Sequence, residues 1–251
     1  MYTVSQKSNC NTGEGIPSRV TPKFVPIARA ATTANTLKST TAQTQEDCYL
    51  KYLFLEVGAG LVNDLRIGNQ SLNVSDSGID TALFNNGTQR KPLIGIAVNG
   101  NIQMSIDVTT DADSAITGAF SCEAIDCAPS ISEQGSAINK FFGLGSVSVG
   151  AGATAQLSAQ ALRNTTLKDL VLACHDEAEA SKIDVTDITI KGRSLFSGQS
   201  GDVVSLTSLA SGTQGFAVGI NIPIETNERV VVSLKNNHGS ALVVGGGLYC
   251  D

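Results

Sequence analysis

The sequence predicts an all-β chain of two tandem β-sandwiches that arose by internal duplication. Three observations carry this reading. A block of strand-like sequence occurs twice. Apolar residues alternate with a period of two through most segments. Turn signals interrupt those segments at short intervals. The repeated block begins Leu50-Lys51-Tyr52-Leu53-Phe54-Leu55, continues with Val62-Asn63-Asp64-Leu65-Arg66-Ile67 and closes with Ser71-Leu72. It returns as Leu167-Lys168-Asp169-Leu170-Val171-Leu172, then Val185-Thr186-Asp187-Ile188-Thr189-Ile190, then Ser194-Leu195.

Taken in order, Met1 to Pro22 carries Gly13, Gly15 and Pro17 without periodicity and is expected to be an N-terminal arm. Lys23 to Ala31 suggests an early strand, placed at an edge by Pro26. Thr32 to Thr44 alternates weakly. Leu50 to Val57 sets Leu53, Leu55 and Val57 on one face, Gly58-Ala59-Gly60 turns the chain, and Val62 to Ile67 forms the next strand. Asn69 to Gly78 reads as a polar loop, and Ile79 to Phe84 as a short helical turn. After the turn Asn85-Asn86-Gly87, Leu93 to Val98 pairs across Asn99-Gly100-Asn101 with the strand of Ile102, Met104, Ile106 and Val108. Asp111-Ala112-Asp113 turns into Ser114–Ala124, the last strand of the first unit.

The first unit thus covers residues 23–125, residues 126–140 form a connector around Pro129, and the second unit covers residues 141–251. Phe142 to Leu157 is rich in small residues, and Leu167 to Cys174 repeats Leu50 to Val57. His175 to Ser181 is an insertion of about one helical turn, and Ile183 to Ile190 repeats the Val62 strand. Val203 to Leu209 adds a strand or helix segment. A constant shift of 126 takes Ile94, Ile96 and Val98 to Ile220, Ile222 and Ile224. The same shift takes Met104, Ile106 and Val108 to Val230, Val232 and Leu234. Asn236 to Gly239 then holds the turn of Thr110 to Asp113, and Gly245-Gly246-Gly247 lies in the final strand, where backbones can approach closely. Seven or eight short strands per unit suit a jelly roll or an immunoglobulin-like sandwich. The absence of a Cys-Trp-Cys signature favours the jelly roll.

Composition narrows function. The 251 residues are 41% hydrophobic and 16% charged, which excludes disorder. Aromatics make up 5% and Trp is absent, so sugar and single-strand nucleic-acid platforms lose ground. A net charge of −6 gives no nucleic-acid footprint. The first forty residues hold Lys7, Arg19, Lys23, Arg29 and Lys38 against Glu14, a mildly basic arm. The polar start after Met1 is not a secretory signal, and no apolar run reaches the length of a membrane span. Cys10, Cys48, Cys122, Cys127, Cys174 and Cys250 form no CxxC, and most of them are expected as small buried hydrophobes.

Candidate chemistry is sparse, and no catalytic, cofactor or metal residue is assigned. His175, before Asp176, Glu177 and Glu179, reads as a solvated acidic turn, and His238 sits in a hairpin. Neither accompanies a Gly-x-Ser-x-Gly elbow. Asp107, Asp111 and Asp113 could offer oxygens to Ca²⁺, but turn chemistry explains them equally, and the second copy does not repeat the set. Gly143/Gly145 and Gly150/Gly152 read as close-packing or bulge positions, since no amphipathic helix follows them. The sequons at Asn69, Asn73, Asn86 and Asn164 mark surface turns. Asp64 and Asp187 occupy the same place in each repeat. They either face outward or act as cross-strand partners fixing a corner of each sandwich.

On these duplicated blocks, the missing catalytic set and the arm, residues 23 to 251 resemble the double jelly-roll major capsid proteins of icosahedral viruses. The resemblance implies two jelly rolls side by side in a structural, non-enzymatic subunit. It implies self-association into homotrimers of pseudo-sixfold outline that tile a shell, with other virion proteins as partners. The arm would contact neighbours, an inner membrane or the genome. No cofactor or small-molecule substrate is implied, and the location is the virion after synthesis in the host cytoplasm. The chain departs from that family in its short loops. A tandem adhesion or receptor-binding module, such as a phage spike or tail component, is the alternative reading.

Overall fold

The computed structural model describes residues 18–84, 95–125, 128, 140–196, 203–209 and 220–250. The expected arm up to residue 17, nearly all of the expected connector, and Asn86, Leu93, Ile94, Cys10 and Cys127 lie outside them.

The first half runs through β1 (Ser18–Pro26), β2 (Ala30–Thr32), β3 (Leu37–Gln43), β4 (Cys48–Glu56), β5 (Gly60–Ile67), β6 (Gln70–Ser71), β7 (Ile79–Asp80), β8 (Ile96–Val98), β9 (Gln103–Thr110) and β10 (Ser114–Ile125). The second runs through β11 (Lys140–Val149), β12 (Thr154–Gln160), β13 (Thr165–Cys174), β14 (Ile183–Ile190), β15 (Arg193–Ser194), β16 (Val204–Ser205), β17 (Ile222–Ile224), β18 (Arg229–Asn236) and β19 (Leu242–Cys250). In the first half one sheet has the order β1-β10-β4-β8 and the other β3-β9-β5-β6. In the second half the orders are β11-β19-β13-β17 and β12-β18-β14-β15. Each half is therefore a jelly roll: two facing four-strand paths of antiparallel strands with the first and last strands adjacent, extended by β2 and β7 in the first half and by β16 in the second. The fold is two such sandwiches in tandem.

Alternation explains the strands. Leu50, Leu53 and Leu55 of β4 and Phe120 and Cys122 of β10 point inward. Val62, Leu65 and Ile67 of β5 and Met104, Ile106 and Val108 of β9 meet them from the other sheet. The corresponding core of the second half contains Leu167, Leu170 and Leu172 with Val185, Ile188, Ile190, Val230, Val232 and Leu234. The inward phase changes after Leu50 because β4 carries a bulge against β10: Leu50 pairs with Cys122 and Tyr52 with Ser121, which leaves Lys51 extra. β13 repeats this, with Leu167 opposite Cys250, Asp169 opposite Tyr249 and Lys168 extra. The shared lysine of the two blocks is thus the bulge residue. A second duplicated bulge lies on β5 at Asn63 and on β14 at Thr186.

The strand β1 starts at Ser18, inside the stretch expected as an arm. Pairing with the long β10 out to Ile125 supplies the order that the local sequence does not signal. Phe142 to Leu157 divides into β11 and β12 around a turn in which Gly152 adopts φ +67°. Ile79–Phe84 contributes β7 and a 3-10 turn at Thr81–Leu83. The insertion after His175 is a 3-10 segment, Glu177–Lys182, and Val203–Leu209 holds both β16 and a single helical turn, Leu206–Leu209.

Candidate functional site

Buried Ser75, Asp80 and Thr81 gather at the seam between the two jelly rolls. It is built by the segment from Leu72 to Phe84, which leaves β6 and crosses the outer face of the β11-β19-β13 sheet. Backbone bonds fasten it to both edges of its path. Leu72 O accepts from Phe141 N (3.0 Å), and Val74 N donates to Phe141 O (2.9 Å). Val74 O accepts from Leu162 N (2.9 Å), and Gly78 O accepts from Gly145 N (2.9 Å). Asp76 exchanges two bonds with Gln160, one to its carbonyl and one from its N–H.

Side chains shape the segment itself. Asn73 donates its amide N–H groups to Asn63 O (2.9 Å) and Ser77 O (2.8 Å) and accepts from Ser75 N (3.1 Å). Its sequon is therefore no surface marker: both amide hydrogens are engaged inside the fold. Asn69 and Asn164, by contrast, are exposed. Buried Ser75 donates to Gly143 O across the seam (2.9 Å), and Arg163 donates to Ser71 O (2.5 Å).

Glycines make the seat. A Cβ on Gly143 would overlap the Gly78 carbonyl, and one on Gly145 would lie 2.8 Å from Ser77 Oγ. One on Gly245 would overlap the Asp80 side chain. The expected close-packing role of these glycines is thus to admit a strand of the other half. Gly145 also has φ +75° and lies at the β11 bulge.

The two cores exchange residues across this seat. Val74, from the first half, joins the second core. Phe141, Val171 and Ala173, from the second half, join the first.

At its end sits a charge pair. The fully buried Asp80 carboxylate faces His175 Nε2 at 2.9 and 2.8 Å and accepts from Ala82 N (2.8 Å), capping the 3-10 turn. His175 is raised above its ordinary pKa, chiefly by the hydrogen bond to Asp80, against desolvation and with help from the Asp80 and Asp111 charges. The expectation of a solvated acidic turn is corrected for His175. Its partner lies 95 residues away, so no local pattern reveals it.

The remaining candidates separate. Asp107 accepts from Ser39 Oγ (2.5 Å) and pairs with Arg66 (3.3 Å). Asp113 accepts from Ala34 N (2.9 Å), while Asp111 is exposed. Among the described residues no three His, Cys, Asp or Glu side chains gather as a metal site. His238 accepts from Ser240 and lies 3.6 Å from Glu179. Asp64 and Asp187 are cross-strand partners. Each accepts from the serine seven residues on, Ser71 at 2.6 Å and Ser194 at 2.5 Å, closing the same corner in both halves. Cys48, Cys122, Cys174 and Cys250 are buried.

No family model matches the chain, and no curated protein matches it. Among solved structures it is similar to the crystal structure of the major capsid protein P2 from bacteriophage PM2. That likeness has 8% identity and a TM-score of 0.40 over 91% of this chain and 97% of that one. It is also similar to the STIV major capsid protein, at 11% identity and a TM-score of 0.38 over 92% and 96% of the two chains. These values assign no family, and the jelly-roll architecture rests on the strand order.

Proposed function

We propose that the chain is a capsid subunit, a structural protein that self-assembles into a viral shell through trimers of pseudo-sixfold outline. The observation that carries this reading is the fusion of two jelly rolls by a buried seam. Exchange of core residues and the Asp80–His175 pair hold the two sandwiches in one fixed relation. A fixed pair of like units makes a regular tile, because closed symmetry needs the same surfaces in the same geometry on each copy. A tandem adhesion module gains nothing from such a seam, which engages a long loop that a binder keeps for its ligand.

In this reading β1 to β10 and β11 to β19 are the two units, and the residues between β10 and β11 join them. The residues ahead of β1 form an arm toward neighbouring subunits, other virion proteins, an inner membrane or the genome. The subunit works without substrate or cofactor, in the virion. Size-exclusion chromatography with light scattering on the purified chain tests this. The expected mass is three times 26.0 kDa, or a larger assembly. A monomer persisting at high concentration overturns the proposal, and a reproducible hit on a glycan array from that monomer establishes the adhesion module instead.

A further inference from the structure

The first sandwich sets two thiols side by side at one end. In the pairing of β4 with β10, Cys48 stands opposite Ala124 and Cys122 opposite Leu50. All four side chains are buried in the same layer, so the two cysteines are diagonal neighbours on one face. Cys48 is 2% and Cys122 4% exposed, and their thiols are hydrogen-bonded to each other. Cys48 is the first residue of β4, and Cys122 lies close to the end of β10, where strands open most easily.

The second half repeats the arrangement without the second sulfur. Leu167 stands opposite Cys250 as Leu50 stands opposite Cys122. Buried Thr165, two residues before Leu167, holds the place of Cys48. Another small side chain therefore satisfies the packing at this point, and a second cysteine exceeds what packing requires. The two thiols also differ from each other. Burial pushes both up. The hydrogen bond from the Cys48 S–H to the Cys122 sulfur opposes ionisation of Cys48 and eases that of Cys122, which Lys23 favours and Glu46 opposes. Cys122 is thus the sulfur that ionises first and acts as nucleophile.

We infer that Cys48 and Cys122 are a reversible disulfide site, closed by a peroxide and reopened by thiols. The Cys122 thiolate attacks one peroxide oxygen and the O–O bond breaks. Cys122 becomes a sulfenic acid, and the departing hydroxide takes up the thiol proton as water. The Cys48 sulfur then attacks the Cys122 sulfur. The S–S bond forms, the S–O bond breaks, and the Cys48 proton leaves with the hydroxyl group as a second water. Two thiols are oxidised and one peroxide is reduced to two waters. A reducing compartment keeps the pair open, and an oxidising one closes it. The link turns residues 48 to 122 into a covalent loop that contains the Leu72–Phe84 segment, which restricts the unfolded chain and so favours the folded one. The inference stands on the register of β4 and β10, and it holds whether or not the chain assembles.

The test uses the full-length chain, purified in dithiothreitol, freed of it and exposed to hydrogen peroxide at pH 8. Non-reducing mass-spectrometric mapping should find the Cys48 and Cys122 peptides joined, lighter by two hydrogens than their sum, and parted again by dithiothreitol. The midpoint of urea unfolding should rise on oxidation and return on reduction. Cys48→Ala and Cys122→Ala should each abolish both the joined peptide and the rise. Should either variant fail to fold, the wild-type map decides alone. Cys122 recovered as an unlinked thiol, as a sulfinic acid or joined to any other cysteine overturns the inference.

Discussion

Replacing Gly245 by alanine sets a methyl group where the Asp80 carboxyl group and Cβ already lie. Asp80 cannot swing aside cheaply, since it is fully buried, pairs with His175 and caps Ala82 N. The overlap is relieved only by lifting β7 from its seat, and that movement breaks the pair. Disrupting a buried ion pair costs about 3–5 kcal/mol, and overpacking alone costs about 1–3 kcal/mol. The two do not add, because the shift that relieves one incurs the other. A loss of about 4 kcal/mol is expected, a fall in Tm on the order of 10 °C for a chain of this size. Urea denaturation followed by circular dichroism measures it. Gly239→Ala, with nothing near its Cβ, should be neutral within about 0.5 kcal/mol. Asp80→Gly removes the overlapping atoms, so adding Gly245→Ala to it should cost little more, a strong coupling in the double-mutant cycle. A Gly245→Ala protein within about 1 kcal/mol of wild type, or additive with Asp80→Gly, refutes the reasoning.

Three further outcomes are expected. His175 titrates higher when folded than unfolded, so its contribution is complete below the unfolded value and is lost as pH rises through the folded one; the stability advantage of wild type over His175→Gln should shrink from pH 5 to pH 9, and a growing advantage would contradict the pairing. Asp64→Ala and Asp187→Ala should each cost about 1–2 kcal/mol in urea melts, since each leaves a serine hydroxyl and a second donor without its carboxylate; unequal losses would show that the two corners are not equivalent. Burial pushes the thiols of Cys48, Cys122 and Cys174 up; mass-spectrometric mapping after N-ethylmaleimide treatment at pH 7.5 should find these sites labelled only in denaturant, and rapid native labelling would place them at the surface.

The sandwiches were legible because jelly-roll strands carry their instructions locally. Alternation at Leu53, Leu55, Ile106 and Val108 marks inward faces, and matching order at Asp64 and Asp187 reveals the copy. The seam was visible only in halves. Gly143, Gly145 and Gly245 signalled close approach without saying to what, while Asn69 to Gly78 looked like any polar loop. Their meeting depends on contacts 65 to 165 residues apart, which leave no periodic trace. Lys51 and Lys168 repeat as letters, but only the strand register shows that each is the extra residue of a bulge. The equivalence of Phe24, opposite Ser121 in β10, and Phe141, opposite Tyr249 in β19, escaped for the opposite reason. Lys23-Phe24 and Lys140-Phe141 match, yet two residues are too short to stand out.

The exchange of core residues also sets an order of events during synthesis. The first jelly roll has all its strands once Ile125 is made, but its core still lacks Phe141, Val171 and Ala173. The seat for Asp80 lies on β19, which follows every other described strand in the sequence and pairs with both β11 and β13. A ribosome-bound chain therefore carries an unfinished first half, its Leu72–Phe84 segment unseated, until β19 emerges. Premature termination anywhere before Gly245 leaves the Asp80 side chain without its seat and β11 and β13 without the strand between them.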